Sequence, residues 1–204
     1  MALNIQRLKR KDFENARKFA IEGMNLQLFT NNLFELYFYS KYFVFSELSQ
    51  ATHAYGAYWH GELAGVLLVN MKGQPKIFNF PIRARIVKMV MWLITHFYGE
   101  LSDDYDQANA EMMDQYRLEH RPAGELSFFA VDPTILGQGI GTKLLKRLAK
   151  DEAGKLVYLY TDSGCTYPFY FHRGFKKKGQ QEIELPTGAD EPQPLTCFLL
   201  DKQL

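Results

Sequence analysis

A glycine-rich turn constrains this chain more than any other feature. The segment 125–131 has strand character, and after it the chain runs Gly137-Gln138-Gly139-Ile140-Gly141-Thr142. Ile140, Leu144, Leu145 and Leu148 then recur on one side of a helix whose other side shows Lys143, Lys146, Arg147 and Lys150. Alternating glycines leave backbone N–H groups unobstructed, and a helix N-terminus adds the positive end of its dipole. Such a turn suits a phosphate group. A further strand at 156–160 makes the unit strand, turn, helix, strand, which for parallel strands requires a right-handed crossover.

Two phosphate-binding readings stand level on the turn alone. In the dinucleotide fingerprint G-x-G-x-x-G, Gly137 and Gly139 fill the first two glycine positions and Asp162 falls near the place of the ribose-binding acid, but Thr142 occupies the third glycine position. The flanking sequence separates the readings. Glu125-Leu126-Ser127-Phe128-Phe129-Ala130-Val131-Asp132-Pro133 precedes the turn, and Phe169-Tyr170-Phe171-His172-Arg173-Gly174-Phe175 follows it. Together, over roughly 124–175, these segments resemble the GCN5-related N-acetyltransferase (GNAT) family, and the second block has no counterpart in dinucleotide folds. One departure is Leu136, where the family usually carries Gln or Arg.

The resemblance implies an α/β (α+β) fold, with a mixed, mostly antiparallel central sheet of about seven strands flanked by helices. The rest of the chain agrees in order. A strand at 3–8 leads to a helix from about Lys11 with Phe13, Ala16, Ala20, Gly23 and Met24 at helical spacing, and a second helix covers 33–48. That second helix is apolar on nearly every side, which fits deep burial or the wall of an acceptor pocket. Segments 52–59 and 62–71 form a hairpin around His60-Gly61. A helical insertion follows from about 75 to 120, with an apolar stripe of Ile82, Ile86, Met89, Val90, Leu93, Ile94 and Phe97 and a second, acidic helix at 103–119. A short helix around 167–173 ends at Gly174, and strands at 175–185 and 195–202, separated by a loop with three prolines, complete the pattern.

At 204 residues, with 47% hydrophobic content, the chain suits a single acetyltransferase domain spanning 1–204. A formal charge of +1 gives no argument for nucleic acid or membrane as partner. Cys165 and Cys197 make no disulfide framework, and five scattered histidines lack zinc-site spacing, so no metal is expected. The basic N-terminal residues lead into no apolar h-region, and the run 86–98 is too short to span a bilayer; a cytoplasmic protein is expected.

The resemblance also implies a chemistry: transfer of an acetyl group from acetyl-CoA to a primary amine of a small molecule or peptide, directly within a ternary complex. Phe129, Ala130 and Val131, with Gly137, Gln138, Gly139, Ile140, Gly141 and Thr142, would hold the cofactor. The Phe129 amide would polarise the thioester carbonyl, and the Val131 amide would hold the pantetheine. Tyr170 would protonate the departing thiolate. Glu125 would take the proton of the amine, and Cys165 would line the cleft without acting as nucleophile. The competing readings are a catalytically silent acyl-CoA sensor and a nucleotide-binding domain. The insertion offers a surface for a homodimer.

Overall fold

The structure, a computed structural model, describes residues 3–24, 26, 32–78, 80, 103–135, 137–185 and 193–204. Seven strands form one sheet in the order β1-β2-β3-β4-β5-β7-β6. They are β1 (Asn4–Arg7), β2 (His53–Trp59), β3 (Glu62–Met71), β4 (Gly124–Val131), β5 (Leu156–Asp162), β6 (Lys176–Leu185) and β7 (Gln193–Gln203). Every neighbouring pair is antiparallel except β4 and β5. Five helices are described: α1 (Phe13–Gly23), α2 (Leu33–Gln50), α3 (Asp103–Glu119), α4 (Ile140–Asp151) and α5 (Pro168–Phe171). None of the described helices is long and apolar enough to cross a membrane.

Side-chain alternation along the strands assigns these helices to the two faces of the sheet. Leu67, Leu126, Val157, Leu159 and Leu200 face α4, where the predicted stripe of Ile140, Leu144, Leu145 and Leu148 is buried. Each such leucine contributes about 1.5–3 kcal/mol by leaving water. Gly65 on β3 permits this close approach, since a Cβ there would lie 2.9 Å from Ile140 Cγ2. On the other face, Val66, Leu68, Phe128 and Ala130 meet α1 and α2, and Leu195, Cys197 and Leu199 meet Met112, Met113 and Tyr116 of α3. Polar α3 thus belongs to the same layer as α1 and α2.

Two expectations change. The insertion is not helical at its start: residues 75–78 and 80 are irregular. Ile77 donates its N–H to Ala51 O at 3.0 Å, and this irregular path delivers Phe78 into the core against Phe13. The stripe from Ile82 to Phe97 lies outside the described residues. Nor is α2 buried on all sides. Val44 and Leu48 are buried, while Leu33 and Phe34 at its start are 82% and 70% exposed. Gly154 follows the end of α4 by three residues and takes a left-handed turn at φ +78°.

Candidate active site

The parallel pair β4 and β5 is joined only at Gly124–Val157 and Glu125–Tyr158, although both strands continue well beyond those residues. A cleft therefore opens between them. Backbone N–H groups alternate in direction along a strand, and Asp132 donates to Ala64 O on the β3 side at 2.9 Å. By that alternation the N–H groups of Phe129 and Val131 point the opposite way, into the cleft, while that of Ala130 points toward β3. Hydrogen-bonding groups in a sheet interior need partners. The two amides are thus suited to an extended ligand lying along β4 in place of a strand.

The cleft leads to the N-terminus of α4. Gly139 is the N-cap in a left-handed conformation, φ +64°, and no side chain caps the helix. Gly137 is also left-handed at φ +72°, and a Cβ on either glycine would meet nothing within 4 Å. Space and amide donors with no side-chain cap among the described residues therefore coincide at the positive end of a helix dipole, an arrangement that suits a diphosphate. Gln138 is exposed, whereas Ile140 is buried and anchors the turn to the core. Gly141 has a separate reason: a Cβ there would lie 3.1 Å from Phe169 and 3.2 Å from Phe129, so its absence lets the helix end reach those rings.

Phe169, Tyr170 and Arg173 come from α5 and the turn after it. Tyr170 packs edge-on against Phe169 and Phe175 and near Phe129, with ring centroids at 5.5, 5.6 and 6.1 Å. Burial in this aromatic nest pushes its phenol well above the ordinary range, so it holds its proton at neutral pH. Arg173 was not singled out from sequence. Its Nε donates to Thr142 Oγ1 at 2.9 Å and its guanidinium stacks over Phe169, which places a fixed positive charge beside the glycine turn. Its position within the 169–175 block was the available signal.

Glu125 occupies the last paired rung before the strands separate. Its Oε2 accepts from the Tyr158 hydroxyl at 3.0 Å. Burial raises its carboxyl, while Tyr158 and the Arg117 charge oppose the rise. Just beyond it β4 bulges: Val69 faces Leu126 and Leu68 faces Phe128, leaving Ser127 as the extra residue. A second acid, Glu47 from α2, lies at this bulge beside Ser127 and Glu125, and burial pushes its carboxyl up to about 7. Sequence reading missed it. The signal was a lone acid among Phe43, Val44, Phe45 and Leu48 in an apolar stretch of helix.

Cys165 is held in the turn after β5, where its N–H donates to Asp162 and its Sγ lies 3.7 Å from Asp162 Oδ2. Burial, together with that carboxylate, pushes the thiol up to about 12, which leaves it protonated and a poor nucleophile at neutral pH. Tyr105 of α3 donates to the same carboxylate at 3.2 Å. The cleft thus has α3 for one wall and α2 for another. Its glycine-turn end carries the Arg173 charge, and its far end carries the carboxyls of Glu47 and Glu125.

The model of the Acetyltransferase (GNAT) family matches residues 24–175. No curated protein matches the chain at a significant level. Among solved structures, a histone acetyltransferase and related acetyltransferase from Corynebacterium glutamicum superposes with a TM-score of 0.59 at 16% identity, covering 100% of this chain and 97% of that one. A ribosomal-protein-alanine N-acetyltransferase from Brucella melitensis gives 0.54 at 14% identity, covering 99% and 100%. A mosquito arylalkylamine N-acetyltransferase-like protein gives 0.54 at 16% identity, with 100% of both chains covered. At these identities the likeness is one of fold.

Proposed function

The chain belongs to the GNAT acetyltransferase family, and on that premise we propose that it moves an acetyl group from acetyl-CoA to a primary amine of a small molecule or peptide, in one step within a ternary complex. The observation that carries this reading is the coincidence of the β4–β5 opening with the uncapped start of α4. An acyl-pantetheine lies along β4 on the amides of Phe129 and Val131, with its diphosphate on the N–H groups of 137–142 and its charge met by Arg173. The Phe129 amide takes the thioester oxygen, where negative charge develops. A preformed donor of this kind lowers a barrier by about 3 kcal/mol in other acyl-transfer enzymes.

The acceptor arrives protonated and must lose a proton before its nitrogen can attack. A carboxylate at the Glu125 end of the cleft removes it. The nitrogen then bonds to the carbonyl carbon, the carbon–sulfur bond breaks, and Tyr170 protonates the thiolate. The nitrogen's second proton leaves on the same side, returns one equivalent to the tyrosinate by way of water, and leaves one proton net in solution. Holding both reactants in one cleft supplies much of the acceleration.

Calorimetric titration with coenzyme A and acetyl-CoA, followed by thiol release with a panel of amines, tests the proposal. Binding with amine-dependent thiol release is the expected result. Binding without release would make the protein a silent acyl-CoA sensor, and absence of binding would overturn both readings.

A further inference from the structure

Building on that reading, we infer that the acceptor amine is received between Glu47 and Glu125, that Glu47 takes its proton, and that the acceptor bears no carboxylate on the carbon next to the nitrogen. Three structural facts converge on this assignment. First, Phe43 of α2 packs edge-on against Phe128 of β4 with ring centroids 5.9 Å apart, which brings Glu47, one helical turn after Phe43, to the part of β4 where Glu125 precedes the separation from β5, so both acids stand at the mouth of the opening that would hold the thioester. Second, the β4 bulge puts Ser127 beside Glu47, and Ser127 Oγ is buried with no partner of hydrogen-bonding geometry among the described residues. A buried hydroxyl left unpaired costs stability, and a ligand nitrogen arriving between the two acids would supply the missing partner. Third, the two acids have different surroundings. Glu125 is bonded to the Tyr158 hydroxyl and faces the Arg117 guanidinium, both of which favour its ionised form. Glu47 has no such bonded donor, since the nearest hydroxyl, that of Ser127, stands outside hydrogen-bonding geometry, and burial and the neighbouring charge prevail.

This asymmetry divides the labour. The acid with the bonded donor is the better supported as a carboxylate, and it attracts the ammonium. The other, poised about 7 by burial and by its neighbour, is the one matched to proton transfer at neutral pH. Among the described residues, the other charged groups acting on the pair and its tyrosine neighbours are Arg117 and Asp114 on α3, and both are exposed and screened by water. The pair therefore presents net negative charge to the acceptor. A carboxylate one carbon from the incoming nitrogen would be driven against Glu47 and Glu125, whereas a plain alkylamine meets only attraction. Beyond the acids the wall is aromatic, with Tyr158, Tyr160 and Tyr116 packed ring to ring, which suits an apolar or flat body behind the amine.

The test compares phenethylamine and tyramine with phenylalanine and tyrosine, which differ only in the α-carboxylate, and follows thiol release from pH 5 to pH 9 in the wild type, Glu47→Gln, Glu47→Asp and Glu125→Gln. The amines are expected to react at least tenfold faster than the matched amino acids. Glu47→Gln should lose about a hundredfold in kcat and the acidic limb of the profile, with partial recovery in Glu47→Asp and unchanged acetyl-CoA affinity. Glu125→Gln should keep the limb and raise the KM for the amine about tenfold. An acidic limb that survives in Glu47→Gln, or a preference for the amino acids, overturns the inference while leaving acetyl transfer intact. A wild type that binds acetyl-CoA but releases no thiol with any amine overturns the acetyl-transfer reading, and this inference falls with it.

Discussion

Arg173 donates from Nε to Thr142 Oγ1 at 2.9 Å, tying the turn after α5 to the first turn of α4. Thirty-one residues apart in sequence, the two segments that carried the family resemblance are thereby fastened together at the point where a diphosphate would lie. The guanidinium is stacked on Phe169, so little freedom is lost when it binds an anion.

Arg173→Gln should therefore weaken coenzyme A binding about tenfold or more, in line with the strength of charge-assisted hydrogen bonds. Calorimetry in 50 mM and in 500 mM salt distinguishes this from a folding defect. The wild-type affinity should fall with salt more steeply than that of the variant, and equal slopes would remove Arg173 from the phosphate site.

Tyr170→Phe keeps the ring contacts with Phe129, Phe169 and Phe175 and removes only the hydroxyl. Turnover should fall about a hundredfold, the lower end of general-acid contributions, with acetyl-CoA affinity nearly unchanged. Steady-state rates combined with a titration of acetyl-CoA separate the two quantities. An unaltered kcat would dismiss Tyr170 as the acid.

Glu47 holds its proton more tightly in the folded chain, about 7 against an ordinary 4.5. Between those values the folded state binds more protons than the unfolded one, so stability is full below the lower value and declines as pH climbs through the upper one. Glu47→Gln should thus stabilise the protein at pH 8, by about 1–3 kcal/mol, and make little difference near pH 4. Thermal denaturation at both pH values is the measurement. A variant less stable than wild type at pH 8 would contradict the burial of that charge.

Gly65→Val tests the packing of α4 on β3. The new side chain would begin 2.9 Å from Ile140 Cγ2 and 3.3 Å from Leu144 Cδ1, and neither neighbour has room to retreat from the core. A loss of about 1–3 kcal/mol is expected, read as a lower urea midpoint. Because Ile140 anchors the glycine turn, coenzyme A affinity should fall as well.

Sequence made parts of this molecule legible for identifiable reasons. The stripe through Ile140, Leu144, Leu145 and Leu148 has a clean helical period, and the glycines before it have few uses other than a turn that exposes backbone donors. The burial of Phe78 was hidden, since its path depends on Ile77 reaching the carbonyl of Ala51, a pairing that no local pattern encodes. The pairing of Glu47 with Glu125 was hidden for a similar reason. It arises from a one-residue bulge at Ser127, and hydrophobic periodicity carries no mark of which strand residue is the extra one. The closeness of α3 to β6 likewise rests on one missing side chain, Gly179, where a Cβ would press within 2.9 Å of Met112.

The strand order has a bearing on how the molecule comes to exist. β7 sits between β5 and β6, yet it leaves the ribosome after every other described strand. Until it emerges, β6 has no neighbour to pair with, and the apolar side of α3 lacks Leu195, Cys197 and Leu199, which cover it in the finished protein. The wall that α3 gives the β4–β5 cleft is therefore completed only when β7 arrives. A nascent chain halted short of β7 would already own the glycine turn and the start of α4 while α3 lacked its cover, so the proposed capacity to choose an acceptor would be acquired only once β7 has been made.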